Sequence, residues 1–143
     1  MNLDIAQLHQ TLAATAPDAI VYADREGVIR FWNRGAERIF GFASADAVGQ
    51  RLDLIIPPGL RARHWEGFET TMKTGQSRYG AGDLLSVPAL RQDGTRISVE
   101  FTIVPFHDAG GTIIGIGAVM RDVTARFDEL KELRRQLAAA GSA

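Results

Sequence analysis

The 143-residue chain contains no cysteine, so its candidates for metal binding or proton transfer near neutral pH are three histidines and scattered carboxylates. His64 stands out among them. It lies in PGLRARHWEGFETTMKT, residues 58–74. At helical spacing Leu60, His64, Phe68, Thr71 and Met72 fall near one face, while Arg61, Arg63, Glu66 and Glu69 fall largely elsewhere. An inward imidazole must be hydrogen-bonded, ionised against a partner, or bound to something such as a metal. The other reading is a histidine that is simply packed or half-exposed. His9 and His107 fall in a terminal helix and a turn, with no ligand spacing to His64. No His-x-x-x-His pair or carboxylate cluster supports a structural zinc or a di-metal centre.

Catalytic constellations do not assemble. Glu37, Asp53 and Glu100 have no catalytic spacing, and Ser44, Ser86 and Ser98 form no triad with a histidine and an aspartate. Gly80-Ala81-Gly82 and Gly110-Gly111 read as turns, because neither follows a strand and opens a helix as a dinucleotide loop does. An enzyme is therefore not expected. Trp32 and Trp65 read as core-edge aromatics, with a flavin or another aromatic ligand as the alternative.

The elements that must position His64 follow from periodicity. Leu3 to Ala14 reads as an amphipathic helix. AIVYAD (19–24) and VIRFWN (28–33) read as paired antiparallel strands around the turn REG. NRGAERIFGF reads as a short helix capped by Asn33 and ended by Gly41, and SADAVGQ as another turn of helix. Pro57 and Pro58 set the first turn of the long helix. Three strands follow: Asp83 to Leu90, with Pro88 marking an edge; TRISVEFTIVPF (95–106), entered through the turn RQDG; and TIIGIGAVMRDVT. Ile97, Val99, Phe101 and Ile103 alternate with Arg96, Ser98, Glu100 and Thr102. The expected fold is α+β, a five-stranded antiparallel sheet with helices on one face.

The run DVTARFDELKELRRQLAAA reads as an exit helix. Val123, Leu130 and Leu137 are spaced by seven, and Leu133 and Ala140 fill the interleaved register of a short coiled coil. The alternative is a single amphipathic helix packed on its own domain. Asp122 and Arg126 are spaced as an i,i+4 ion pair.

Composition narrows the function further. Hydrophobic residues make up 45%, charged residues 23%, and the net charge is −1. Such balance exerts no general pull towards nucleic acid or anionic lipid. Arg61, Arg63 and Arg78 are interleaved with acids and read as a solvated face. No apolar run is long enough for a membrane span, and MNLDIAQLHQ lacks a signal-peptide pattern. A cytoplasmic location is expected.

The order of elements resembles a PAS domain. AIVYAD and VIRFWN, NRGAERIFG, Ala47-Val48-Gly49, RQDGTRISVEFTIVPF, GIGAVMRDVT and the triplet Asp122-Val123-Thr124 carry the resemblance, over roughly residues 13 to 126. It implies a sensory or interaction module, with an N-terminal flanking helix (1–16), a core (17–122) and a C-terminal signalling helix and tail (123–143). IIPPGLRARHWEGF further resembles the long helix of the haem-PAS class of oxygen-sensing histidine kinases. That resemblance implies haem b ligated through His64, with Phe68 beside it. Phe101 and Ile103 would face the distal side, and Arg78 would reach a propionate. The oxygen sensors place an arginine where this chain has Leu84 and Leu85. An apolar distal pocket implies carbon monoxide, nitric oxide or redox chemistry in place of oxygen.

Two functions are expected on this basis. One is a sensor holding a small ligand, haem b above all, and signalling through the exit helix to an output protein such as a histidine kinase or regulator. No kinase, cyclase or DNA-binding segment is read in the chain, so it is expected to signal through another protein or to be a fragment of a longer one. The other is a ligand-free module that dimerises through Leu3, Leu8, Leu12 and the exit-helix stripe. A non-covalent flavin stays open. The cysteinyl–flavin adduct of the blue-light relatives does not, because there is no cysteine.

Overall fold

The computed structural model describes residues 2–76 and 82–141. The chain runs α1 (Ile5–Thr15), β1 (Ala19–Asp24), β2 (Ile29–Trp32), α2 (Arg34–Phe40), α3 (Ser44–Ala47), two 3₁₀ turns (Leu52–Ile55 and Pro58–Leu60), α4 (Arg61–Thr74), β3 (Leu85–Leu90), β4 (Arg96–His107), β5 (Ile113–Asp122) and α5 (Thr124–Gly141). The five strands form one antiparallel sheet in the order β2-β1-β5-β4-β3. Pro88 lies on the edge strand β3, where its missing N–H costs no ladder bond on the open side.

Register fixes which residues look inward. Val21 pairs with Ala118, and Ala118 with Ile103; Ala19 pairs with Met120, Met120 with Phe101, and Phe101 with Leu85. Alternation then places Val99, Phe101 and Ile103 on one face of β4. That face packs on α2, α3 and the first 3₁₀ turn through Ile39, Phe40, Ala47 and Ile55, in one cluster with Ile29 and Trp32 of β2. A second, smaller cluster joins α4 to β5 through Phe68, Met72 and Ile113. Leu52 borders both clusters.

On the opposite face Tyr22 and Phe106 meet edge-to-face at 5.0 Å. Gly115 permits this crossing, since a Cβ there would lie 2.4 Å from both the Tyr22 hydroxyl and the Ala23 carbonyl oxygen.

Three local readings need correction. The helix expected from Pro58 begins with a 3₁₀ turn, closed by the Leu60 N–H donating to the Pro57 carbonyl at 2.9 Å; α-helix starts at Arg61. β3 begins at Leu85, two residues later than Asp83. The Asp122–Arg126 ion pair does not form. Asp122 Oδ1 instead accepts from the Thr124 N–H at 2.9 Å and from the Thr124 hydroxyl, because orphan donors at the start of α5 lie closer than a guanidinium one turn on.

Candidate functional site

α4 turns Phe68, Thr71 and Met72 inward and leaves His64 half-buried, as is Leu60 in the 3₁₀ turn before it. The imidazole of His64 meets Trp65 edge-on at 4.7 Å and Phe68 at 5.9 Å. Its Nδ1 is buried and has no hydrogen-bond partner among the described residues. Burial holds its pKa below the usual histidine value; Asp53 opposes this and Arg51 adds to it. The ring is therefore held neutral, as a metal-binding imidazole must be.

A network missed by sequence reasoning supports it. Trp65 Nε1 donates to Asp53 Oδ1 at 2.7 Å, and the Arg51 guanidinium stacks 4.0 Å over the indole. Arg61 donates to the carbonyls of Ile56 (3.0 Å) and Asp53 (3.2 Å), tying the first turn of α4 to the preceding 3₁₀ turn. At the other end Arg25 donates to the carbonyls of Ile113 and Met72, joining α4 to β5. The indole rests on Gly27, whose φ is +77° and where a Cβ would sit 2.2 Å from two ring carbons. Nothing in local periodicity pairs residue 53 with residue 65, or 27 with 65.

Gly27→Val should therefore displace the indole and strain the turn, costing about 1–3 kcal/mol. Trp32, the other tryptophan, is buried with its Nε1 donating to the Phe42 carbonyl at 2.9 Å. A red shift in tryptophan emission in this variant would thus report Trp65. Unchanged emission and stability would remove the indole from the turn.

The sheet side of the site is incompletely filled. Ile97 and Val99 on β4 are buried, yet Phe101 and Ile103, continuing the same face, are only half-buried. So are Ile116 and Ala118 on β5. Phe101 and Ala118 pack against the larger cluster and Ile116 against the smaller; Ile103 belongs to neither. The sheet face is thus less completely packed between the two clusters than within them. Leu85, paired with Phe101, lies half-buried at its β3 side. Leu84 precedes the strand and is 63% exposed, so it does not join these residues. Arg78 lies outside the described residues.

Among the described residues no group of three or more His, Asp or Glu could hold a metal ion. A metal at His64 would have one protein donor, and the remaining ligands must come with it, as they do in a porphyrin. A neutral imidazole whose Nδ1 has no partner among the described residues, packed beside Trp65 and Phe68, fits that requirement.

This burial gives the stability a pH dependence. The unfolded chain takes up a proton near 6.5 before folded His64 does. Stability is complete above that pH and is lost as pH falls through the lower folded value. Urea midpoints between pH 8 and pH 5 should decline with acid, and His64→Gln should flatten the decline. An equal slope in both proteins would place the ring in water.

A five-stranded antiparallel sheet with short helices and the longer α4 packed against it defines an α+β module. The chain belongs to the PAS fold family, whose profile matches residues 14–127. It is 30% identical over 128 residues to the sensor protein FixL of Bradyrhizobium diazoefficiens, covering 85% of this chain and 25% of FixL. It is 28% identical over 112 residues to the oxygen sensor protein DosP of Escherichia coli, covering 78% of this chain and 14% of DosP. The chain thus spans a quarter or less of these relatives. A PAS domain of a Colwellia psychrerythraea protein superposes with a TM-score of 0.72 at 23% identity, covering 85% of this chain and 99% of that one. No helix among the described residues is long and apolar enough to cross a membrane.

Proposed function

We propose that this PAS domain is a sensor that holds haem b between α4 and the sheet, ligated by His64. The observation carrying this reading is the neutral imidazole of α4 whose buried Nδ1 has no partner among the described residues, with Phe101, Ile103 and Ile116 of the sheet only half-buried. The similarity to an oxygen sensor protein supports it. Bound haem would supply an iron centre able to take a diatomic gas or change oxidation state.

This chain's residues have three tasks. His64 supplies the donor nitrogen. Asp53, Arg51 and Gly27 hold Trp65, and with it the helix turn that carries His64. Leu85, Phe68, Phe101 and Ile103 exclude water. They offer no side-chain donor to a polar diatomic ligand, which favours carbon monoxide, nitric oxide or redox sensing over oxygen. A shift in packing beneath β5 passes to α5 at Asp122–Thr124, where the Val123 N–H donates to the Ser98 carbonyl at 2.9 Å and the Ser98 N–H to the Thr124 hydroxyl at 3.0 Å. The output is a separate domain or protein, a histidine kinase or regulator.

The test is a visible spectrum of purified protein with added hemin, repeated with His64→Ala. A Soret band in the wild type that is lost or strongly shifted in the variant supports ligation. A band that survives unchanged removes His64 as the ligand, and no band in either protein leaves a haem-free PAS module.

A second reading, dimerisation, rests on exposed apolar residues of both flanking helices. Leu3, Ile5 and Leu12 of the N-terminal segment, and Phe127, Leu130, Leu133 and Leu137 of α5, are exposed, whereas Leu8 of the expected stripe is half-buried. Sedimentation at high micromolar concentration should find a dimer, and Leu130→Glu with Leu137→Glu should return it to monomer. A monomeric wild type at that concentration removes this reading.

A further inference from the structure

We infer that the groove between α5 and the outer face of β3 and β4 binds a single-chain aliphatic carboxylate, its chain laid along α5 and its head group on Arg134. The groove measures about 370 Å³. Ser86 and Glu100 form its sheet wall, and Val123, Phe127 and Leu130 its helix wall. Ser86 pairs with Glu100 beside the inward pair of Leu85 and Phe101, so alternation turns Ser86 and Glu100 to the other side of the sheet. The groove is therefore separate from α4 and His64, and the inference stands apart from the haem reading. Leu133 and Leu137 of α5 line no part of it.

The inner end of the groove is fixed. Val123 is 9% exposed, and its N–H donates to the Ser98 carbonyl at 2.9 Å. From there α5 leaves the sheet, and no residue of the helix is buried. Phe127 and Leu130 stand 50% and 43% exposed over the groove.

Size selects the occupant. One turn of a helix, about 10–12 Å across with its side chains, takes roughly 400–600 Å³, more than the groove holds. A methylene takes about the room of a liquid water, roughly 30 Å³, so a chain of about twelve carbons fits. Apolar walls with few polar groups, at this volume, are the usual form of a small-molecule site.

Charge selects the head group. Helical spacing from Val123 runs through Phe127, Leu130, position 134 and Leu137. The stripe calls for an apolar residue at 134, and the chain has an arginine that lines the groove. One turn away from Arg134 on either side stand Leu130, Lys131, Leu137 and Ala138, so no carboxylate of α5 is placed to pair with it. Arg126 and Lys131 line the groove beside it. The same spacing turns Asp128, Glu129 and Glu132 to the other side of the helix, where Glu132 pairs with Arg135 at 2.6 Å. The one acid in the lining, Glu100, lies on the sheet opposite Arg121. A carboxylate head thus belongs at the helix side of the mouth, away from Glu100. A cationic head would meet three like charges there. A chain bound in this way bridges α5 to β3 and β4, beyond the bonds of Val123 and Thr124 to Ser98 that hold the first turn.

The test is an amide chemical-shift titration of the whole chain with dodecanoate below its micelle concentration. The expected result is saturable shifts at Ser86, Glu100 and residues 127–134, with none at His64 or Phe68. Each buried methylene is worth about fourfold in affinity, so octanoate should bind at least tenfold more weakly. Dodecyltrimethylammonium, with the same chain and the opposite charge, should also bind at least tenfold more weakly. Arg134→Gln should weaken dodecanoate about three- to fivefold, the range of an exposed ion pair, and Arg134→Glu tenfold or more. Phe127→Ala, at an exposed position, should weaken it at least fivefold. Shifts that grow linearly, saturable shifts confined to residues beneath α4, equal affinity for the dodecyl ammonium, or dodecanoate affinity unchanged in Arg134→Glu or in Phe127→Ala would each overturn the inference.

Discussion

Asn33→Ala is expected to lower the unfolding free energy by about 3 kcal/mol, a large loss for a single polar side chain. Asn33 is 3% exposed and fully engaged. Its Oδ1 accepts from the Ala36 N–H at 2.9 Å, capping α2, and from the Ile20 N–H at 2.8 Å on β1. Its Nδ2 donates to the carbonyls of Ala13 (2.9 Å), Asp18 (3.0 Å) and Ala16 (3.4 Å). Loss of an N-cap alone costs about 0.5–2 kcal/mol. Alanine here would also leave partner groups around the site with nothing in place of the amide. Asn33→Asp separates the two roles, because it keeps the acceptor for the cap and loses the donors that hold the end of α1. It should still destabilise, and it should release α1, which buries no residue of its own. Urea unfolding gives the energy, and hydrogen exchange of α1 amides gives the release. A loss under about 1 kcal/mol for the alanine variant would mean that water replaces the amide.

Half of this node is legible in the sequence. An asparagine before an apolar-periodic segment announces a cap through purely local spacing. Its hold on residues 13 to 18 is not local, and no period encodes it. The same divide runs through the rest of the chain. The strand alternation of 97–103 and the RQDG turn are local consequences of side-chain period and turn chemistry, and both appear in the structure. The inward face of α4 follows from helical spacing for Phe68, Thr71 and Met72. What surrounds His64 depends on Arg51, Asp53 and Gly27, which only the fold brings to Trp65. Leu84 and Leu85 look alike as residue types. A strand boundary between them places one in solvent and the other opposite Phe101. The spacing of Asp122 and Arg126 permits an ion pair, but spacing takes no account of the competing donors at a helix start.

The looser packing of the sheet face makes its own prediction, independent of any spectrum. Val99 and Ile103 lie on one strand and one face, but Val99 is 1% exposed inside the larger cluster and Ile103 packs in neither cluster. Phenylalanine at position 99 must force its neighbours apart, at a cost of about 1–3 kcal/mol. Phenylalanine at 103 enters less completely packed apolar surroundings, so the ligand-free protein should keep its stability within about 1 kcal/mol or gain slightly. The same ring then occupies room that a ligand needs. Steric cost of that size corresponds to roughly tenfold to hundredfold weaker hemin binding for Ile103→Phe. Thermal unfolding of the two variants without hemin, followed by hemin titration of Ile103→Phe, separates the possibilities. If both variants lose stability alike, the interior is packed evenly throughout. If Ile103→Phe keeps its stability and hemin affinity is also unchanged, the packing is looser there but haem lies elsewhere. Tolerance of the ring combined with loss of hemin would tie the looser packing between the two clusters to the site beside His64.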